Sequence, residues 1–227
     1  VSKETRIDIL VTPLVTIFSG VGLSMLIAAP IGAAASQVGT LIMWATEQAP
    51  FLMGILVSVI VGVALTLPIS SAAICAALGL TGLAGGAAVA GCCAQMVGFA
   101  VMSYKENGVG GLVSQGLGTS MLQMPNILRN PRTWIPPTLA AAITGPIATC
   151  LFHLEMNGPA VSSGMGTCGL VGQIGVYTGW IESGKAVTAF DWIGLVLICF
   201  VLPALLSTIF CEVLRKKGWI KEGDLKL

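Results

Sequence analysis

Two short stretches of the chain share one polar pattern, in which serine and threonine are interspersed with glycine. Residues Ser114–Ser120 read SQGLGTS, and residues Ser162–Cys168 read SSGMGTC. Glycine lets the backbone turn and expose N–H groups, while hydroxyls both donate and accept hydrogen bonds. Such motifs suit a hydroxyl-rich or weakly anionic solute. The binding residues predicted in the two motifs are Ser114, Gly116, Gly118, Thr119, Ser162, Ser163, Gly164, Gly166 and Thr167.

A second polar cluster, FHLEMN, lies just before the second motif. His153 is the only histidine of the chain, and Glu155 is the only acidic residue between Thr133 and Ile181. Ionisable residues beside a membrane cavity are functional candidates by default. We therefore predict that His153, Glu155 and Asn157 bind a solute through hydrogen bonds, or that His153 or Glu155 couples transport to a proton. In the alternative reading, which suits His153 better than Glu155, both residues only cap a membrane span.

The remaining composition excludes several other kinds of chemistry. The seven cysteines lack metal-ligand spacing and there is one histidine, so neither a metal nor another cofactor is predicted. A nucleophile, a base and an acid cannot be assembled from this set, so the chain is not expected to be an enzyme. A net charge of +1 gives no indication of nucleic-acid binding.

The distribution of charge indicates an integral membrane protein. Every residue from Gln48 to Tyr104 is uncharged, and so is every residue from Ile9 to Thr46. Charged residues make up 9% of the chain and hydrophobic residues 55%. A soluble protein of this size needs far more polar surface than this. Lipid is therefore the expected solvent for most of the chain, which we predict to be a single membrane domain over residues 1–227.

The apolar runs predict an all-α fold with about six transmembrane helices. Prolines, glycines and charges mark the limits of these spans. The predicted spans are Ile9–Ala29, a weaker one that follows Gly32 and ends at Trp44, Phe51–Leu67, Gly82–Tyr104, Trp134–Leu154 and Trp192–Cys211. The run Ser70–Leu80 is too short to cross a bilayer alone.

The basic residues predict the orientation of these spans. If the first span runs from inside to outside, every lysine and arginine except Lys185 falls on the cytoplasmic side. This distribution agrees with the positive-inside rule and places both ends of the chain in the cytoplasm. The agreement depends on the weak second span, because losing that crossing would move the charges of one half to the other side.

Two uncharged, glycine-dense segments do not fit as ordinary spans. Residues 108–125 and 157–180 each leave and return to the same side, and these sides are opposite. They are predicted to be re-entrant hairpin loops, whose irregular backbone is tolerated where protein or a water-filled cavity satisfies it. Because each loop carries one copy of the motif, the pattern suggests inverted repeats with a binding site near the midplane of the membrane.

Three stretches of the chain resemble a bacterial membrane family. They are VSKETRIDILVTPL, QMPNILRNPRTWIPPTLAAAITGP and FHLEMNGPAVSSGMGTCGLVGQIG. The family is that of the phosphotransferase-system EIIC-like proteins, which includes perfringolysin O regulator-like proteins. The resemblance covers nearly the whole chain, although family members are longer at the N-terminus, so the chain is expected to be a C-terminal fragment of a longer protein.

The resemblance implies a sugar permease domain in the bacterial inner membrane. In better-understood EIIC permeases a histidine and a glutamate near a re-entrant loop contact the sugar, and His153 and Glu155 are the matching candidates here. The Gly-Ile-Thr-Glu-Pro signature of glucose-type permeases is absent, and so is the phosphorylated cysteine or histidine of a soluble domain. Any phosphorylation of sugar would therefore need separate IIA and IIB proteins.

The favoured function is thus a transporter that binds a small hydroxylated solute, with sugar as the leading class. Alternating access could move the loop-bearing part against the other spans. The alternative is a membrane-embedded sensor or regulator that binds a ligand without transporting it. The resemblance also implies a homodimer, since permeases of this kind often pair as dimers. The many small-x-x-x-small faces allow such a contact, but they equally serve packing within one chain.

Overall fold

The long apolar runs fold as helices, since a helix satisfies its own backbone hydrogen bonds where no water is available. The computed structural model describes residues 8–227 and, among them, the side chains of residues 13–22, 33 and 35–227. These described residues form ten α-helices and no β-strand. The helices are α1 (Asp8–Gln48), α2 (Pro50–Thr66), α3 (Ser71–Leu78), α4 (Gly82–Met102), α5 (Tyr104–Val113), α6 (Met124–Arg129), α7 (Ile135–Pro146), α8 (Val171–Glu182), α9 (Ala189–Val196) and α10 (Leu202–Lys216).

Short π-helical and 3-10 turns interrupt or join these helices. The π-helical turns are Ser114–Gly118, Ile147–Leu151 and Leu197–Val201, and the 3-10 turns are Ser120–Gln123, Pro131–Trp134, Ala160–Gly164 and Cys168–Leu170. Turns of the π type are rare in proteins overall, and those that occur are often found at functional sites. One of them covers most of the first polar motif, while the second motif begins in a 3-10 turn.

Within the described part of the chain, three segments are long and apolar enough to cross a membrane. They are Gly82–Met102, Pro131–Leu151 and Ala189–Lys216, and they contain most of the fourth, fifth and sixth predicted spans. Helix α2, the third predicted span, is apolar but has only 17 residues. The prediction of an all-helical membrane protein is confirmed at this level, whereas the total number of crossings remains a prediction.

Helix α1 differs from the sequence prediction of two spans separated at Pro30. Its backbone is helical without interruption from Asp8 to Gln48. A helix of this length measures about 60 Å, roughly twice the hydrocarbon thickness of a bilayer. The physical reason for continuity is that an internal proline removes one N–H donor, whereas a full break would expose several backbone groups to lipid. The predicted second span is therefore not a separate helix.

Helix α4 lies at the centre of the bundle. Every residue from Ala84 to Ala100 is buried, and α2, α7 and α10 pack around the helix. Small residues allow these backbones to approach closely. A Cβ atom added to Gly91 would lie 1.9 Å from the carbonyl oxygen of Ser58 on α2. The Ser58 hydroxyl in turn donates to the carbonyl of Ala141 on α7 across 2.8 Å. The three helices thus form a closely packed centre.

The Gly82-x-x-x-Gly86 pattern at the start of α4 is typical of a tight helix–helix contact. In the structure both glycines instead contact the irregular segment 152–157. The Gly82 N–H donates to the Met156 carbonyl and the Met156 N–H donates to the Gly82 carbonyl, each across 3.0 Å. A Cβ atom on Gly86 would lie 1.7 Å from the Leu154 carbonyl oxygen. These two glycines therefore position the segment that carries His153 and Glu155.

Candidate functional site

The segment from Phe152 to Asn157 begins with a turn and then, from Leu154, runs in an extended form along the start of α4. Its side chains alternate between the core and the surface, with Leu154 and Met156 buried and His153, Glu155 and Asn157 exposed. Residue 153 takes a left-handed backbone conformation with φ of 43°, which few non-glycine residues adopt. The turn at His153 directs the chain from the end of the fifth span into this extended segment.

The polar residues of this segment are only partly brought together. The Asn157 side-chain amide donates to the Glu155 carboxylate across 2.9 Å. His153 makes no hydrogen bond and no ion pair with the described residues of the chain. Glu155 and Asn157 thus form one exposed pair, with a carboxylate that accepts hydrogen bonds and an amide that both donates and accepts them.

The second motif is buried and tied to the short helix α3. The Ser163 hydroxyl donates to the Leu80 carbonyl across 2.6 Å, and the Ser71 hydroxyl donates to the Gly164 carbonyl across 2.7 Å. Ser162, Ser163 and Gly164 are all buried. These hydroxyls therefore hold the irregular backbone in place, as buried polar groups must be hydrogen-bonded to avoid a large desolvation cost.

The first motif combines a π-helical turn with one extended residue, Thr119. The Thr119 N–H donates to the Ser114 carbonyl across 2.9 Å. Its hydroxyl accepts from the Met121 N–H across 3.1 Å and so caps the next turn. The Ser114 hydroxyl donates to Gly111 in the preceding turn across 3.2 Å. Gly118 is exposed, whereas Gly116 is half-buried.

The two motifs touch each other through one hydrogen bond. The Thr167 hydroxyl donates to the Gly116 carbonyl across 2.5 Å, and Thr167 is fully buried. The atoms concerned are 51 positions apart in the chain. This contact joins the two glycine-rich segments directly. The structure also shows that the second half of the predicted outer loop, from Val171, is the regular helix α8 rather than irregular backbone.

The space beside this contact is apolar. A cavity of about 210 Å³ lies next to Gly116 and Leu117, and it is lined by Val97, Ala100 and Phe200 among others. The hydroxyls of Ser163 and Thr167 point to carbonyl acceptors in the protein rather than into a cavity. Of the predicted binding residues, His153, Glu155, Asn157 and Gly118 are exposed, whereas Ser162, Ser163, Gly164, Gly166 and Thr167 are buried.

A buried polar network lies next to the first motif. It centres on Gln95, near the middle of α4. Its side-chain oxygen accepts from the Trp134 indole across 3.1 Å and from the Thr66 hydroxyl across 3.3 Å, and its amide donates to Thr138 across 3.2 Å. Thr66 also bonds Ser120, the last residue of the first motif, across 2.9 Å. The signal for this network in the sequence was a glutamine inside an uncharged run.

We expect Gln95→Leu to destabilise the protein by about 1–3 kcal/mol, because the partly buried Trp134 indole N–H would lose its acceptor. The measurement is reversible unfolding of the purified protein in mixed micelles. Ser207→Ala is a matched control, since the Ser207 hydroxyl is fully buried and has no hydrogen-bond partner among the described residues. Equal losses of stability in both variants would contradict a specific role for the Gln95 network.

Comparison with known proteins gives one match. The family model described as Phosphotransferase system, EIIC matches residues 1–227. No curated protein and no solved structure matches the chain. The matched range includes both polar motifs, the segment that carries Glu155 and all ten helices.

Proposed function

Because the chain belongs to the EIIC family of the phosphotransferase system, we propose that it is a membrane permease for a small hydroxylated solute, a sugar. The observation that carries the proposal is the Thr167–Gly116 hydrogen bond. It joins two broken, glycine-rich segments that bear the same motif, which is the arrangement expected of a site between inverted repeats.

In this proposal the solute binds beside the two motifs, and the work is divided among three kinds of group. The exposed Glu155 carboxylate and Asn157 amide form hydrogen bonds with sugar hydroxyls, and His153 lies next to them in the chain. The exposed backbone at Gly118 offers further hydrogen-bonding groups. The hydroxyls of Ser163 and Thr167 hold the backbones of the two loops in position, so they act on the solute through the geometry of the loops.

Transport would proceed by alternating access, with the loop-bearing part moving against the remaining helices. The Thr167–Gly116 bond lies between the two loops, so separation of the loops would break it. A single hydrogen bond contributes about 0.5–1.5 kcal/mol net, which is small enough to be broken and re-formed during a transport cycle. The protein would work as a homodimer in the bacterial inner membrane.

The positions of the basic residues support an orientation with these helix ends in the cytoplasm. Glu106, in the first turn of α5, and Arg215, at the end of α10, form an ion pair with 2.7 Å between the charged atoms. The Arg132 guanidinium, just before α7, lies 5.1 Å from the centre of the Trp219 ring, which follows α10. One side of the bundle therefore collects these basic residues, as the positive-inside rule requires of a cytoplasmic face.

The test is uptake of radiolabelled hexoses and hexitols into vesicles that contain the purified protein. Accumulation only in the presence of soluble IIA and IIB proteins would support phosphorylation-coupled transport, whereas uptake without them would indicate a carrier that works alone. Binding with no uptake under either condition would contradict the permease and favour a sensor.

At the site, Glu155→Gln and Thr167→Ala are each expected to weaken binding of the transported probe by about 1–3 kcal/mol if their hydrogen bonds are buried in the complex. Equilibrium binding of the labelled probe measures the change. Glu182→Gln is the matched control, because Glu182 is exposed and makes no hydrogen bond or ion pair with the described residues. If the affinity for the probe is unchanged in both test variants, Glu155 and Thr167 do not belong to the binding site.

A further inference from the structure

The segment that follows α10, residues 219–227, is folded back onto the bundle. Ile220 and Leu225 are almost fully buried and pack in one apolar cluster with Phe99, Met102 and Ile127. Lys221 and Lys226, on the same segment, are exposed. The segment is therefore held by its apolar residues and its backbone, while its charges remain at the surface.

Side chains of residues 106–130 bind the backbone of this segment directly. The Leu225 carbonyl accepts from the side-chain amides of Asn107 and Gln123 across 2.8 and 2.9 Å. The Leu225 N–H donates to the Glu106 carboxylate across 2.9 Å. Asn126 donates to the Lys226 carbonyl across 2.9 Å. The contacts are thus made to main-chain atoms on both sides of Leu225.

Gln123 continues this network into the first polar motif. Its amide nitrogen donates both to the Leu225 carbonyl and to the side-chain oxygen of Gln115, each across 2.9 Å. The Gln115 amide in turn donates to the Ser103 hydroxyl across 2.8 Å and to the Gly111 carbonyl across 3.0 Å. Both glutamines are fully buried. Each of these bonds is therefore costly to lose, because water cannot replace it.

Gln115 stands in the π-helical turn directly before Gly116, whose carbonyl accepts the Thr167 hydroxyl. A displacement of Gln115 would move the neighbouring carbonyl relative to Thr167. We propose that Gln115 and Gln123 are positioning residues of the solute site, and that they take their anchor from residues 219–227. The inference rests on the proposed function for the identity of the site, but the anchoring itself can be tested without any solute.

The test compares hydrogen exchange by mass spectrometry in the full chain, in detergent micelles, for the parent protein, Gln123→Leu and Asn130→Ala. Asn130 also binds the segment, through the Trp219 carbonyl and the Asp224 carboxylate, but it has no bond to Gln115. We expect Gln123→Leu to speed exchange about tenfold or more in peptides covering both 114–120 and 219–227. Asn130→Ala is expected to speed exchange at 219–224 and at the Arg132 amide, which the Asn130 side chain caps, but not at 114–120.

Equal patterns in the two variants, or unchanged exchange at 114–120 in Gln123→Leu, would overturn the proposal. If Gln123→Leu does not fold, Gln123→Asn replaces it, since the shorter amide cannot reach both Leu225 and Gln115. If the parent protein takes up a labelled hexose, Gln123→Leu and Gln123→Asn should raise the KM of uptake more than they lower its kcat. Absence of uptake in the parent protein would refute the permease function, while the exchange pattern would still decide this inference.

Discussion

Replacing Gly166 with alanine is expected to destabilise the protein by about 2–5 kcal/mol, combining backbone strain with overpacking. Gly166 has φ of 53°, a conformation that L side chains rarely adopt. A Cβ atom there would lie 2.7 Å from the Cys92 Cβ atom and 2.8 Å from the Cys92 carbonyl carbon. Neither contact can be relieved by rotating a flexible side chain, because both involve atoms at or next to the backbone of the central helix α4.

The same position in the other motif supplies the control. Gly118 matches Gly166 in the shared pattern, yet a Cβ atom on Gly118 would have no atom within 4 Å. We expect Gly118→Ala to fold with at most a small change in stability. The measurement is reversible unfolding of both variants in mixed micelles, together with the yield of monodisperse protein. Equal loss in both variants, or an unaffected Gly166→Ala, would contradict the close approach of the second motif to α4.

Loss of solute binding should follow the loss of packing in Gly166→Ala. Thr167 is the next residue, and its hydroxyl must reach the Gly116 carbonyl to join the two loops. A shift of the backbone away from Cys92 would lengthen that bond. Binding of the labelled hexose should therefore fall in Gly166→Ala even at temperatures where the variant remains folded, and it should be retained in Gly118→Ala.

The repeated motif was a sound basis for expecting the two segments to be partners, but it could not predict which atoms meet. Thr167 donates to Gly116, whereas its counterpart Thr119 accepts from a nearby N–H instead. The carbonyl of Gly164, the counterpart of Gly116, is bonded by Ser71 of α3. The contacts of the two copies differ because each motif packs against different neighbours, and a comparison of seven letters carries no information on those neighbours.

The composition was sufficient to predict that the protein is an all-helical membrane protein. It also indicated where a closely packed helix would lie. An uncharged run rich in glycine and alanine predicts a helix with close neighbours, and α4 has that character. The continuity of α1 through Pro30 was not predicted, because proline and glycine commonly end helices in soluble proteins. In a membrane, a break in the helix costs more, since the freed backbone groups have no water to bind. Exposure of Glu155 and Asn157 also needed the structure, since it follows from the pairing of Met156 with Gly82.

The anchoring of residues 219–227 shows a further limit of the sequence. Its lysines, Lys221 and Lys226, are exposed. Besides the buried Ile220 and Leu225, most hydrogen bonds that hold the segment are made to its backbone atoms, which no sequence pattern distinguishes. The fold brings four side-chain amides together on the backbone of this one segment. They belong to Asn107, Gln123, Asn126 and Asn130.

Replacing Gly86 with alanine is the second change with a large expected effect, about 2–4 kcal/mol from overpacking and from broken hydrogen bonds. The added Cβ atom would lie 1.7 Å from the Leu154 carbonyl oxygen and 2.7 Å from its carbon. Both are backbone atoms, so the segment 152–157 must move away from α4. That movement would break the two hydrogen bonds between Gly82 and Met156.

Two measurements test the Gly86 prediction. In Gly86→Ala, hydrogen exchange should accelerate at the Gly82 and Met156 amides, while the buried centre of α4 stays protected. Binding of the labelled hexose should weaken, because Glu155 lies on the displaced segment. Gly110→Ala is the control, since Gly110 lies in helix α5 with open space around it. That variant should gain up to about 1 kcal/mol from the better helix propensity of alanine. Normal binding by Gly86→Ala together with fast exchange at Met156 would separate this segment from the solute site.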